Sequence, residues 1–313
     1  MNSAERYPRC ILATCPLPWD EAGSLMRDLL TAEVLGLAQA GYRRLYLFGT
    51  AGEGYAVDEA RFDEASRVFL DACADANVEP MLGVISTSLP TVIGRIARAR
   101  EWGVRDFQIS LPSWGPLADG EVDRFFAETC GRFPDCRFLH YNLGRARRVL
   151  EPSDYARLAA AHPNLVATKQ AGISSLETAL ALCDAAPEVR HFVGEGMFAA
   201  LAPLRPCGLL ISVGLVHPVR GRELYDAAIA GAETELARLR HEVEIVTQMV
   251  LRAGGEGPKM DGTYDKAIWK LHDPRFPLRL LPPYEGMSDA AFAEFRATLC
   301  REVPRWAPGS TPS

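Results

Sequence analysis

RFLHYNLGRARRVLEPSDYARLAAAHPNLVATKQAG, residues 137–172, is the stretch on which the fold turns. RFLHYNL (137–143) and LVATKQA (165–171) are short, largely apolar runs, whereas PSDYARLAAAHP (152–163) between them spaces its apolar residues helically and ends at a proline. Two strands separated by a helix pair in parallel, because the crossover returns the chain in the same direction.

The pattern extends in both directions. Further strand-like runs are CILATCPL (10–17), RRLYLFG (43–49), EPMLGVI (79–85), RDFQISL (105–111), RHFVGEG (190–196) and CGLLISV (207–213). Helical patterns such as SLMRDLLTAEVLGLAQAG, DEARFDEASRVFLDACADA and SLPTVIGRIARAREWG lie between them. Eight strand–helix units in about 230 residues predict an α/β fold, a closed (β/α)8 TIM barrel with additional C-terminal helices. The expected organisation is a barrel over 1–230, a helical extension over 231–303 that includes TELARLRHEVEIVTQMVLRAG and SDAAFAEFRATLC, and a flexible tail, PRWAPGSTPS, over 304–313.

An open dinucleotide-binding sheet is the competing architecture, since GEGMFA (194–199) follows a strand and fits the G-x-G-x-x-A variant. It lies on the seventh strand rather than the first, and no Asp or Glu occurs between Glu195 and Glu223, where a ribose-binding acid belongs.

Composition narrows the class. The 313 residues are 48% hydrophobic, enough for a sizeable core, and a formal charge of −6 argues against a nucleic-acid or anionic-membrane surface. The eight cysteines form no C-x-x-C pair and sit mostly in apolar segments, so buried thiols of a reducing compartment are expected. MNSAERYPRC lacks a signal-peptide apolar region, and no apolar run reaches the length of a membrane span, so the expected location is the cytoplasm.

In a barrel of this kind the chemistry belongs at the C-terminal ends of the strands. Four features fall there: GTAGEG (49–54), Tyr141 in HYNL, Lys169, and Glu195 in GEG. The chain has four lysines (169, 259, 266, 270) against thirty arginines, and Lys169 is the only one in the first 258 residues. Arginine cannot lose its proton in a protein, whereas a lysine in a low-dielectric pocket can become a neutral, nucleophilic amine. Lys169 therefore reads either as a Schiff-base amine for a ketone or as a strand cap that snorkels to solvent. Tyr141 reads either as a proton carrier beside an imine or as a core tyrosine. GTAGEG frees backbone N–H groups that suit a carboxylate or phosphate, and a plain tight turn uses the same residues.

Other chemistries lack their residues. The six histidines make no H-E-x-x-H or H-x-H pair, the sequence HEVEI at 241 lacks the second histidine, and G-x-S-x-G does not occur, so no metal and no cofactor are expected. Glu53 and Glu195 form a possible carboxylate pair but read better as solvated loop acids.

GTAGE after strand two, YN on strand five, a lysine 28 residues beyond that tyrosine and GLLIS on strand eight together resemble the dihydrodipicolinate synthase / N-acetylneuraminate lyase family. TCPLPWDEAGSL (14–25) and PNLVATKQA (163–171) resemble two further family segments, so the likeness runs over most of the chain. The resemblance implies a barrel with C-terminal helices, Lys169 as the Schiff-base residue for pyruvate or another 2-oxo acid, and Tyr141 as the proton-transfer residue. It also implies Thr50 and Ala51 as receivers of the substrate carboxylate, a substrate contact at Ile211 in GLLIS, and a homodimer or homotetramer without nucleic-acid or membrane partners.

The departures lie on the second-substrate side. Ala51 replaces a hydroxyl residue, Trp114 in LPSWGP stands near the synthases' tyrosine, and YNLGRARR puts Gly144 for the proline and Ala146 where their substrate arginine falls. Arg145 or Arg147 is then the expected contact for a longer polar acid, with solvated surface charges as the other reading. The expectation is a lyase, aldolase or dehydratase acting on pyruvate or a 2-keto-3-deoxy acid. The synthase proper and a paralogue that binds a keto acid or sugar acid without turnover are the alternatives.

Overall fold

The computed structural model describes residues 5–171, 173 and 175–310. All eight expected strands are present: β1 (Ile11–Thr14), β2 (Arg44–Leu47), β3 (Glu79–Gly83), β4 (Asp106–Ile109), β5 (Arg137–Asn142), β6 (Leu165–Gln170), β7 (Arg190–Val193) and β8 (Gly208–Ile211). They close into one barrel in the order β1 to β8, which fits the (β/α)8 expectation and excludes the open dinucleotide-binding sheet. Most strands are shorter than the runs suggest. Proline cannot donate a ladder hydrogen bond, so β1 stops at Thr14, ahead of Pro16 and Pro18.

The helices are α1 (Arg27–Gln39), α2 (Glu59–Asp75), α3 (Leu89–Glu101), α4 (Asp119–Phe126), α5 (Pro152–Ala161), α6 (Leu176–Ala185), α7 (Glu195–Leu201), α8 (Pro218–Ala230), α9 (Glu233–Ala253), α10 (Gly262–His272) and α11 (Asp289–Glu302). Local chemistry starts several of them. Asp58 caps α2 by accepting from Arg61 N–H at 2.8 Å, and proline stands in the first turn of α3, α5 and α8, where a missing N–H costs nothing.

The chain forms two compact units, Met1–Leu12 with Pro80–Leu210 and Ala13–Glu79 with Ile211–Ser313. The first carries β3 to β7 and α3 to α7. Its parallel ladder is registered by pairs such as Phe107 with Phe138 and Tyr141 with Lys169. The second carries β2, α1, α2 and α8 to α11, with Ala13 opposite Leu45.

Two features of the C-terminal region differ from the sequence reading. Helix α10 carries no simple apolar stripe because it buries Asp265 and Lys266 together with Ala267, Ile268 and Trp269. The segment read as a frayed end opens with a 3₁₀ turn, Pro304–Trp306, whose Trp306 is fully buried and donates its indole N–H to Glu242 at 2.9 Å. Residues 311–313 lie outside the described residues.

Six of the eight cysteines are buried, Cys10 is half-buried and Cys300 is exposed, and all are free thiols. Burial pushes the Cys73, Cys130 and Cys207 thiols up to about 12, which keeps them protonated and inert. Among the described residues no helix is long and apolar enough to cross a membrane, and no cluster of His, Cys, Asp or Glu could hold a metal ion.

Candidate active site

Tyr141 and Lys169 are register partners near the C-terminal ends of β5 and β6. Side chains alternate along a strand, so the two project from the same face of the ladder. Both are buried, and the Lys169 Nζ lies 3.9 Å from the centre of the Tyr141 ring. The primary amine and the phenol that the sequence singles out are therefore in direct contact.

The opposite face of the same strands is polar as well. Asn142 donates to Gln170 Oε1 at 3.0 Å, Gln170 donates to Thr168 Oγ1 at 2.9 Å, and Thr168 is hydrogen-bonded to His191 Nδ1 at 2.8 Å. His140 Nδ1 is hydrogen-bonded to the Tyr155 hydroxyl of α5 at 2.8 Å. Asn142 also donates to the Leu150 carbonyl and accepts from the Leu150 N–H, both at 2.9 Å, which clamps the ends of the 143–150 segment directly after Tyr141. These buried side chains hold β5, β6 and β7 in one register, and hence hold Tyr141 over Lys169. The sequence signal for them was available. In HYN and TKQ a polar residue stands on each side of the chemical one, where a strand covered by helices would otherwise be apolar.

Burial sets the protonation of the two histidines. It pushes His140 down to about 3, and it pushes His191 down to about 4 against the pull of its bond to the Ala186 carbonyl. Both are neutral at pH 7.

The GTAGEG turn belongs to the other compact unit. Phe48 and Glu53 hold left-handed backbone angles, φ 65° and 51°, which cost energy for residues with a side chain. A Cβ on Gly52 would stand 2.8 Å from the Cys15 carbonyl oxygen, and one on Gly54 would stand 2.2 Å from that of Phe48, so neither position admits another residue. Within the turn Glu53 N–H donates to the Thr50 carbonyl and Gly54 N–H to the Gly49 carbonyl, whereas the Ala51 and Gly52 N–H groups donate to no acceptor among the described residues.

Glu53 is not the solvated loop acid that its position in the sequence suggests. It is fully buried, and its carboxylate accepts from the Trp19 indole at 2.9 Å and the Leu281 N–H at 2.6 Å and pairs with Lys266 at 2.5 Å. Lys266 also donates to the Arg279 carbonyl. Burial pushes the Lys266 ammonium down to about 8, with Glu53 opposing that shift. Nearby Asp265 accepts from Thr14 at 3.3 Å and Ser212 at 2.8 Å. Glu195 is half-buried at the start of α7.

The remaining candidates are more scattered. Trp114, in the loop after β4, is 92% exposed. Arg145 and Arg147 are exposed on the segment after Tyr141, with Arg147 at φ 62°, and Ala146 between them is buried. The neighbouring Arg148 is engaged by Asp119 at 2.7 Å and Asp154 at 3.6 Å. The Ile211 side chain is fully buried and so close to Gly214 and Gly221 that a Cβ on them would meet it at 2.6 and 2.5 Å.

A (β/α)8 barrel with a lysine and a tyrosine in contact at adjacent strand ends defines the class of protein. Residues 8–256 match the model of the dihydrodipicolinate synthetase family, and the chain belongs to that family. It is 25% identical over 223 residues to a 4-hydroxy-tetrahydrodipicolinate synthase of Kineococcus radiotolerans, covering 71% of this chain and 70% of that one. Its fold is similar to that of YagE, a prophage protein of the dihydrodipicolinic acid synthase family from E. coli K12 solved in complex with pyruvate, with TM-score 0.84 at 18% identity over 94% of this chain and 98% of that one. The 4-hydroxy-tetrahydrodipicolinate synthase of Methylacidiphilum fumariolicum SolV is similar to the same degree, with TM-score 0.84 at 17% identity over 96% and 98% of the two chains.

Proposed function

We propose that this protein is a Schiff-base lyase, aldolase or dehydratase that acts on pyruvate or a 2-keto-3-deoxy acid through Lys169. The observation that carries the reading is the buried contact of Lys169 with Tyr141 on paired strands. In the proposed cycle the neutral amine attacks the ketone carbon and the carbonyl oxygen leaves as water, so that the keto acid becomes an iminium. The iminium then accepts the electron pair released when a C3–H or C3–C4 bond breaks, and Tyr141 carries the protons in and out. The carboxylate is assigned to the N–H groups of the turn at Thr50 and Ala51, on the family resemblance together with the Ala51 N–H, which donates to no acceptor among the described residues. Trp114, Arg145, Arg147 and the main chain at Ile211 are assigned to the rest of the substrate.

Borohydride added with pyruvate is expected to reduce the iminium and leave a covalent adduct that peptide mapping places on Lys169. An adduct confined to Lys259, Lys266 or Lys270, or one undiminished in Lys169→Ala, overturns the reading.

The protein is expected to be a poor dihydrodipicolinate synthase, even though a curated relative carries that activity in its name. The incoming semialdehyde brings a carboxylate that calls for a guanidinium, and a buried methyl group stands there at Ala146. A lost bidentate contact costs on the order of 1.5–3 kcal/mol, roughly ten- to a hundredfold in rate. A coupled assay with pyruvate and aspartate semialdehyde decides the matter: a kcat/KM inside the ordinary range of about 10⁴–10⁸ M⁻¹s⁻¹ contradicts this expectation.

A further inference from the structure

We propose that Glu53, held by Lys266, Trp19 and the Leu281 N–H, is the positioning residue that fixes the GTAGEG turn as a carboxylate receiver. The inference rests on the assignment of that turn to the substrate carboxylate, made above. Glu53 lies inside the turn, and its three donors come from three separate pieces of chain: the segment after β1, helix α10 and the strap at 279–281. Glu53 in the turn and Phe48 directly before it both hold left-handed conformations, which persist only when surrounding contacts over-determine them. Helix α10 packs directly against it, since a Cβ on Gly262 would stand 3.1 Å from the Ala51 carbonyl oxygen.

A fully buried carboxylate with three donors is a costly way to hold a loop. Ion pairs with both partners buried contribute little net stability, because desolvation offsets the attraction, but they fix geometry. Here the geometry fixed is that of the main chain at Ala51 and Gly52, whose N–H groups donate to no acceptor among the described residues. Glu53 touches no substrate in this assignment. It acts through the turn, and its effect falls on substrates that carry the group the turn receives.

The test compares pyruvate with methyl pyruvate, which keeps the ketone and lacks the carboxylate charge. Half-saturation of borohydride trapping on Lys169 is measured for both ketones in the parent, in Glu53→Gln and in Trp19→Phe. The phenylalanine variant removes only the indole donor, leaves the ion pair in place and retains a large apolar ring, so it reports even if the glutamine variant does not fold.

Loss of a charge-assisted contact set is expected to weaken pyruvate about tenfold in Glu53→Gln and less in Trp19→Phe, with methyl pyruvate nearly unchanged, so that the preference for pyruvate falls. A folded variant in which both ketones weaken equally, or neither weakens, assigns Glu53 a purely structural role and overturns the inference alone. A parent that traps neither ketone on Lys169 overturns the Schiff-base reading and the inference with it.

Discussion

Tyr141→Phe is expected to lower turnover by about 10²–10⁴-fold, the usual worth of a positioned general acid–base group, while the fold and some iminium formation survive. The ring of Tyr141 is buried against the Lys169 amine, and phenylalanine fills the same space. Only the ionisable hydroxyl is removed. The measurement needs no knowledge of the second substrate, because an iminium that loses a C3 proton exchanges the methyl hydrogens of pyruvate with solvent. In D₂O the parent is expected to wash deuterium into pyruvate, with NMR recording the loss of the methyl signal. The Phe variant is expected to show the borohydride adduct and almost none of the exchange. Exchange within a few-fold of the parent makes Tyr141 a core residue and leaves the proton relay to another group.

The second large effect is on stability in acid. His140 and His191 titrate at about 3 and about 4 in the folded chain because burial disfavours the imidazolium, against about 6.5 when unfolded. A group with a depressed folded pKa binds more protons when unfolded, so its contribution is complete above pH 6.5 and is lost as pH falls toward the folded value. Each proton taken up on unfolding makes stability fall by about 1 kcal/mol per pH unit. Glu33 works the other way. Burial, reinforced by the charge of Asp265, holds its carboxyl well above the usual range, so above that range the folded chain keeps a proton the unfolded chain has lost, and the resulting penalty shrinks as the solution becomes more acidic.

His162 and His272 are likewise pushed down by burial, so the histidines together lower stability as pH falls below about 6.5, with Glu33 opposing them. The slope steepens below about pH 4.5, where the opposition from Glu33 ends. Urea denaturation across this range measures it. His140→Gln is expected to flatten the upper part of the curve, and Glu33→Gln to steepen it. A parent whose stability is level from pH 6.5 to 4.5 shows that these groups titrate alike in both states.

The sequence by itself determined the barrel and singled out its candidate pair, Lys169 and Tyr141. Alternating strand and helix periodicities name the architecture because each is a local property: parallel strands read as apolar runs, and the helices between them carry their own stripes and stops. Lys169 stood out because a chain so rich in arginine has no need of lysine as a plain cation, and Tyr141 because it ends a neighbouring strand. The positions of the two along the chain said nothing about their contact. That depends on the β5–β6 register, in which a slip of one residue would turn one of them to the opposite face. Burial was equally out of reach. Glu53 reads as a solvated loop acid until α10 and the 279–281 strap close over it, and α10 itself is hard to see because it buries Asp265 and Lys266 where an amphipathic pattern would place apolar residues. Local spacing shows which residues can share a face. Only the assembled fold decides which charges leave water, because the partners that make such burial tolerable come from separate segments, Lys266 and Leu281 lying more than 200 residues from Glu53.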